Sequence, residues 1–478
     1  MLLGLLLPLV LKASPPTFTP AQWTADLEVL HRGLTEVHGG TYRYTSPKEF
    51  EARWKELKSE FSRPRSRAEG YLVLSKFTRS LRCGHTYLNF FNQESEVQQE
   101  LFAGRDKLPF TFKWVDDRMI VTESVQPQSD LPRGTEVLSI NGKPAAGILQ
   151  KLLGYTRGDG ANDDKRRALL QVMGREGIET FDVFFSLLYP LREPHFALLI
   201  RLPGSKETST VTVGAIDLQE RNAKFAAARA SMNTKPIWAD KMLDSQTAYL
   251  DMPSWELYSS KWDWKTYLDK FFERITAGKV PKLIIDLREN EGGNSVSRDI
   301  IRHLVSKPTT FQDFVEHVRY RKIDEALKPY LSTWDKSFED WGKTAVEVAP
   351  HEYVLDRHFD DSKWPLKAAD HRYEGKVIVL MGPTNSSATF SFLADMKRLK
   401  LGTLIGQQSG GNRRGINGGA FFFLKLPNSK LEVDLPLIRY EPRTQEPNKG
   451  IRPDIFVRPT VDAIAEGIDQ ELAVALKL

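Results

Sequence analysis

Three stretches near the start of the chain, AQWTADLEVLHRGLTEVH, SPKEFEARWKELKSEF and RAEGYLVLSKFTRSL, place apolar residues at three- and four-residue spacing. That period predicts amphipathic helices over about residues 20–82. Pro20, Ser46 with Pro47, and Ser66 mark their starts. The segment GHTYLNFF that follows is strand-like in composition. From about 105 to 220 the pattern turns β-rich. LPFTFKWVDDRMIVTESV reads as strands around an Asp116–Asp117 turn, and PRGTEVLSINGKPA as a strand leading to an Asn141–Gly142 turn. HFALLIRL and STVTV read as further strands, with GYTRGDGANDD a loop and KRRALLQVM a helix between them. From about 240 strand and helix alternate. QTAYLDMPSW, KLIIDLREN, KVIVLMGP and GTLIGQ are strand-like, whereas SRDIIRHLVS and SATFSFLADMKRL are helical. Such alternation argues for βαβ crossovers and a mostly parallel sheet. Residues about 310–372, rich in Trp, Asp and Lys, show no clear period and are expected to be an insertion that covers or shapes a cleft.

Composition narrows the class. A chain of 478 residues is too long for one ordinary core, so two or three domains are expected. Hydrophobic residues at 41% and charged residues at 27% are ordinary for a globular protein. The net charge of +5, from 67 basic and 62 acidic residues, is a weak bias without long like-charge runs. Nucleic-acid binding is therefore not expected. The opening MLLGLLLPLVL is too short to span a bilayer but suits the apolar part of a signal peptide over residues 1–15. Export to a periplasmic or extracellular space is the expectation, with no stable membrane span after its removal. Cys83 is the single cysteine, so no internal disulfide can form.

Four places could carry chemistry. In KVIVLMGPTNSSATFSFLADMKRL, Ser387 stands where a strand gives way to a helix, above the strand's carboxyl end. Open α/β sheets bind ligands there, and the helix amides favour negative charge. An N-cap role for Ser386 or Ser387 is the plain alternative. In KLIIDLRENEGGNSV, Gly292 and Gly293 allow close backbone approach, and their amides with that of Ala388 could hold an oxyanion. His85 in LRCGHTYLNF sits after a glycine, where a structural histidine would be the default. Glu446 precedes the Gly450–Pro453 turn in RTQEPNKGIRPDIFV, where it could orient a histidine or simply face solvent.

Taken together, DLRENEGG, TNSSATFSF, GTLIGQQSGG and GIRPDI resemble, in that order, the C-terminal-processing (tail-specific) serine peptidases. That resemblance implies an α/β, Clp-peptidase/crotonase-like catalytic domain over 225–478. It also implies a helical N-terminal region over 16–95 that contributes His85, and a β-rich PDZ-like module over 104–220 around PRGTEVLSINGKPA. One departure matters. Where tail-specific members carry a catalytic lysine, GTLIGQQSGGNRRG aligns Asn412, and the guanidinium groups of Arg413 and Arg414 stay protonated. The resemblance is therefore to the Ser-His-Glu branch of the tricorn core and the chlamydial CPAF protease. It implies Ser387 as nucleophile, His85 as base and Glu446 as orienting carboxylate, with Gly292, Gly293 and Ala388 forming the oxyanion hole. No cofactor or metal is implied. The expected partner is a protein or peptide substrate held by strand addition. The rival expectation is an inactive binding protein on the same fold, for a hydrophobic ligand or peptide; an acyl-CoA enzyme of crotonase type is disfavoured.

Overall fold

The structure is a computed structural model that describes residues 16–125, 131–174, 177–225, 237–258, 260–311, 314–356 and 365–478. The expected signal segment, residues 1–15, lies outside the described residues.

Each N-terminal helix begins where side chains can satisfy its free amides. Thr19, Ser46 and Ser66 form capping boxes with Gln22, Glu49 and Glu69 at the heads of Pro20–Arg32, Pro47–Glu60 and Arg67–Ser80. GHTYLNFF departs from its expected state: it is irregular backbone. Its side chains and amides are spent on long-range bonds, such as the carbonyl of Tyr87 accepting from the amide of Asp434 at 3.1 Å, rather than on a ladder.

The middle of the chain builds a mainly antiparallel sheet, ordered Phe110–Val115, Arg118–Ser124, Glu136–Ile140, His195–Arg201, Ser209–Gly214. The Asn141–Gly142 turn has positive φ at both residues, 49° and 74°, as a two-residue hairpin turn requires. Helices Ala145–Leu153, Asp163–Leu169 and Thr180–Leu188 flank it.

Two sheets make up the C-terminal half. The first runs Ile455–Phe456, Thr403–Gly406, Lys376–Met381, Lys282–Asp286, Thr247–Asp251, Ala239–Asp244, parallel except at the last pairing. Leu283, Ile284 and Ile285 are wholly buried because the sheet is covered on both faces. Helix Trp264–Ala277 supplies one crossover and Ser387–Leu399 another. The stretch expected to be an insertion falls between two adjacent strands of the parallel sheet and folds into the second sheet. Residues 314–355 contribute Phe314–Val318, Leu331–Ser332, Ala345–Ala349 and Glu352–Leu355, four of six strands in a sheet completed by Asn417–Lys425 and Glu432–Pro442. These strands are short and largely exposed on one side, so their apolar period is weak.

The N-terminal helices pack on this second sheet and not on the parallel one. A Cβ at Gly33 would lie 2.8 Å from Leu424 and 3.0 Å from Leu435. One apolar cluster joins these helices, the middle sheet and the second sheet, while the parallel sheet has its own. The segment bearing His85 is thereby carried to the edge of the Ser387 region.

Candidate active site

The strand Lys376–Met381 ends in a tight turn that is stitched to the neighbouring strand's exit loop. Asn385 accepts from the Gly382 amide at 2.7 Å and donates to the carbonyls of Leu287 and Asn290, the latter at 2.9 Å. Thr384 donates to the carbonyl of Arg288 at 2.6 Å, and Thr389 to Asn290 Oδ1 at 2.6 Å. Held this way, Ser387 takes φ of +50°, a left-handed conformation unusual for a residue with a Cβ. Strain of that kind costs roughly 1–3 kcal/mol and persists only where the surroundings enforce it.

The two serines of the turn have different fates. Ser386 is buried, its hydroxyl accepting from Lys165 Nζ at 2.6 Å and donating to the Glu291 carbonyl at 3.1 Å. Ser387 is partly exposed, and its hydroxyl has no hydrogen-bond partner among the described residues. Among the described residues, the Ser386 hydroxyl is engaged and the Ser387 hydroxyl is not.

Gly292, with φ of +116°, presses on this turn. A Cβ there would stand 2.8 Å from Ser387 Cβ and 3.0 Å from the Ala388 nitrogen. Its amide, however, donates to Asn290 Oδ1 at 2.9 Å. That corrects the expected three-donor hole: Gly292 supplies close approach, and its donor is already taken. Gly293 and Ala388 keep their amides, Ala388 because first-turn amides have no intrahelical acceptor. Gly293, at φ of +128°, is glycine because a Cβ would strike the Trp255 carbonyl at 2.2 Å.

His85 reaches this region with help that the sequence reading did not identify. Arg157 donates to the Gly84 carbonyl at 3.1 Å, lies 4.6 Å over the Tyr87 ring, and pairs with Glu291 at 2.8 Å. Glu291 also lies 3.7 Å from Lys165 Nζ, which holds Ser386. A continuous relay of charge thus runs from the His85 loop to the residue beside the nucleophile. Asp159 accepts from the Gly84 amide at 2.7 Å. Arg157, Asp159 and Lys165 come from the loop and helix after Ala145–Leu153, outside the catalytic half of the chain. The signal that could have found them is the charge density of GYTRGDGANDDK, a loop too polar for a mere connector.

The imidazole of His85 is held well below its ordinary value, at about 4. Burial is the largest cause; Asp159 opposes it, Lys165 and Arg157 add to it, and Glu291 opposes it. Burial likewise lowers Lys165, against the pull of Glu291. Glu291 is raised by burial but brought down overall to about 2 by Arg157 and Lys165. Among the described residues no hydrogen bond joins His85 to Ser387, and His85 Nδ1 is buried without a partner.

Glu446 is engaged elsewhere. Its Oε2 pairs with Arg413 at 2.6 Å and its Oε1 accepts from Thr444 at 3.4 Å. Asn412 is fully buried, donating to Asn448 Oδ1 at 2.7 Å and accepting from the Arg414 amide at 3.0 Å. It braces the 409–414 segment and brings no titratable group to the serine.

The parallel sheet thus presents a strained serine at a helix mouth, with the Ala388 amide in the same turn. Residues 246–457 match the model of peptidase family S41. The matched span contains Ser387, Gly292, Gly293, Ala388 and Glu446 but not His85 or the 157–165 cluster. The solved structure of mature CPAF complexed with lactacystin superposes with a TM-score of 0.64 at 15% identity, covering 95% of this chain and 97% of that one. Mature CPAF gives 0.63 at 16%, covering 93% and 94%. At these identities the likeness establishes a shared fold over nearly the full length. Among curated proteins, none matches.

Proposed function

We propose that this protein is an exported serine endopeptidase that cleaves protein or peptide substrates through an acyl-enzyme on Ser387. The observation that carries the reading is the Ser387 hydroxyl, unpartnered among the described residues, at a left-handed position with the Ala388 amide in the same turn and Gly292 packed against both. In this reaction Ser387 Oγ attacks the peptide carbonyl while its proton passes to His85 Nε2. The carbonyl oxygen takes the negative charge and lies against the two amides. The C–N bond then breaks, His85 returns the proton to the leaving amine, and water completes the cycle by the same route. Burial lowers the imidazole below its ordinary value and so keeps it neutral before the reaction, while Asp159 and Glu291 oppose that lowering and favour its protonated form.

Export rests on the opening apolar run. Capture of an extended peptide by strand addition on a PDZ-like middle module rests on the outer, mostly exposed strand Ser209–Gly214. The test is labelling by a fluorophosphonate probe together with hydrolysis of an unfolded protein. Wild type should label and cleave, and Ser387→Ala should do neither. Absence of labelling in the correctly folded wild type would instead favour an inactive binding protein.

A further inference from the structure

A serine-protease histidine works only if its second nitrogen is held and its positive charge is met. Glu446, the carboxylate that the family resemblance offers, is turned to Arg413. His85 Nδ1 is buried and bare, and so is Asp159 Oδ2. These two orphans flank one hydrogen bond. Gly84, next to His85, donates to Asp159 Oδ1 at 2.7 Å, and a Cβ on Gly84 would stand 2.6 Å from Asp159 Oδ2. Buried polar atoms rarely go unmet, since each one left bare is costly.

We propose that Asp159 is the residue that positions His85, its carboxylate accepting a hydrogen bond from Nδ1–H through one trapped water or after a small closing shift, and facing the imidazolium that forms during acyl transfer. The proposal rests on the reading of Ser387 and His85 as nucleophile and base. The loop is built to hold the carboxylate there. The Gly160 amide donates to the Arg82 carbonyl at 2.8 Å, and Gly160 adopts φ of +57° because a Cβ would meet Asn448 Oδ1 at 2.2 Å. The Asn162 side chain pins the next turn to the Ser409 carbonyl at 2.7 Å. Four charged groups bear most on His85: Asp159, Lys165, Arg157 and Glu291. Glu291 is already matched by both cations, whereas Asp159 makes no ion pair among the described residues. Asp159 alone has negative charge to spare for His85.

The test compares Asp159→Asn with Glu446→Gln in the full chain. Asparagine keeps the oxygen that accepts from Gly84, so the fold is expected to survive, and a thermal melt checks it. With Asp159→Asn, kcat should fall roughly 10²–10⁴-fold with little change in KM. The acid limb of the kcat/KM profile should also move to lower pH, because a group that raises the His85 value is gone. Glu446→Gln should leave both near wild type. A second readout needs no turnover: the NMR titration of the imidazole signal that disappears in His85→Ala. Its midpoint should drop in Asp159→Asn and hold in Glu446→Gln. The reverse pattern, or unchanged rate and midpoint in Asp159→Asn, overturns the proposal. Failure of the underlying reading shows separately, as activity surviving in Ser387→Ala or His85→Ala.

Discussion

The molecule buries two clusters of opposite charge, and they are built to different ends. In the middle module Asp182 and Arg221, 2% and 1% exposed, form a closed fork with contacts of 2.5 and 3.0 Å. Nearby Glu179, raised by burial and by Asp182, caps the amides of Met173 and Gly174 at 3.1 and 2.7 Å. Nearly every strong group there has its partner. At the site, Arg157, Glu291 and Lys165 are also paired, but His85 Nδ1 and Asp159 Oδ2 are left bare and the Ser387 hydroxyl is free. A closed cluster locks a module together. An open one keeps groups at high energy for a reaction to use. In the closed cluster only Arg221 Nε is left bare, on a guanidinium whose other nitrogens are bonded, whereas at the site both a base and a carboxylate oxygen are.

That contrast can be broken from either side. The largest effect should come from the closed cluster: Asp182→Ala strands a buried guanidinium and should cost about 3–5 kcal/mol in denaturant unfolding, with turnover per folded molecule unchanged. Loss of turnover at intact stability would instead tie this cluster to catalysis. Next comes Gly292→Ala, which places a methyl against Ser387 Cβ and the Ala388 nitrogen. Displacing an oxyanion donor typically costs 10²–10³ in kcat, roughly 3–4 kcal/mol of barrier, and steady-state kinetics would read it. Lys165→Met removes a cation that lowers His85. The acid limb of the pH–rate profile should therefore move to higher pH, opposite in sign to Asp159→Asn. An unmoved limb would detach Lys165 from His85. The smallest effect should be a gain: Ser387→Gly relieves the left-handed strain and should stabilise the inactive protein by about 1 kcal/mol over Ser387→Ala, visible as a higher Tm.

Local features were legible in proportion to how local their physics is. The helix starts at Ser46 and Ser66 follow from capping within three residues, and the parallel strands from runs such as KLIID and KVIVLM. Ser387 was legible too, because a strand-turn-helix at a sheet's carboxyl end lies in one short stretch. The strands of 314–355 were not. Their pairing is with residues 417–442, and their exposed faces carry little period. GHTYLNFF misled for the converse reason: it has strand composition but makes isolated bonds to the strand Glu432–Pro442 and no ladder. At the site, Gly292 was rightly marked for its lack of a Cβ, yet only the bond to Asn290 reveals that its amide is spent.

By itself the sequence determined the class of sheet, the serine at its mouth and the presence of Asn412 where the resemblance would put a lysine. These depend on residue type and short-range spacing. Tertiary structure alone decided which charges surround the histidine. Arg157 lies 134 residues from Glu291, Lys165 lies 221 from Ser386 and Asp159 lies 75 from Gly84, yet each pair is within bonding distance in space. No periodicity encodes such a meeting. It arises because one shared core folds the N-terminal helices, the middle module and the second sheet together, and so delivers a loop from one and a histidine from another to the edge of the parallel sheet.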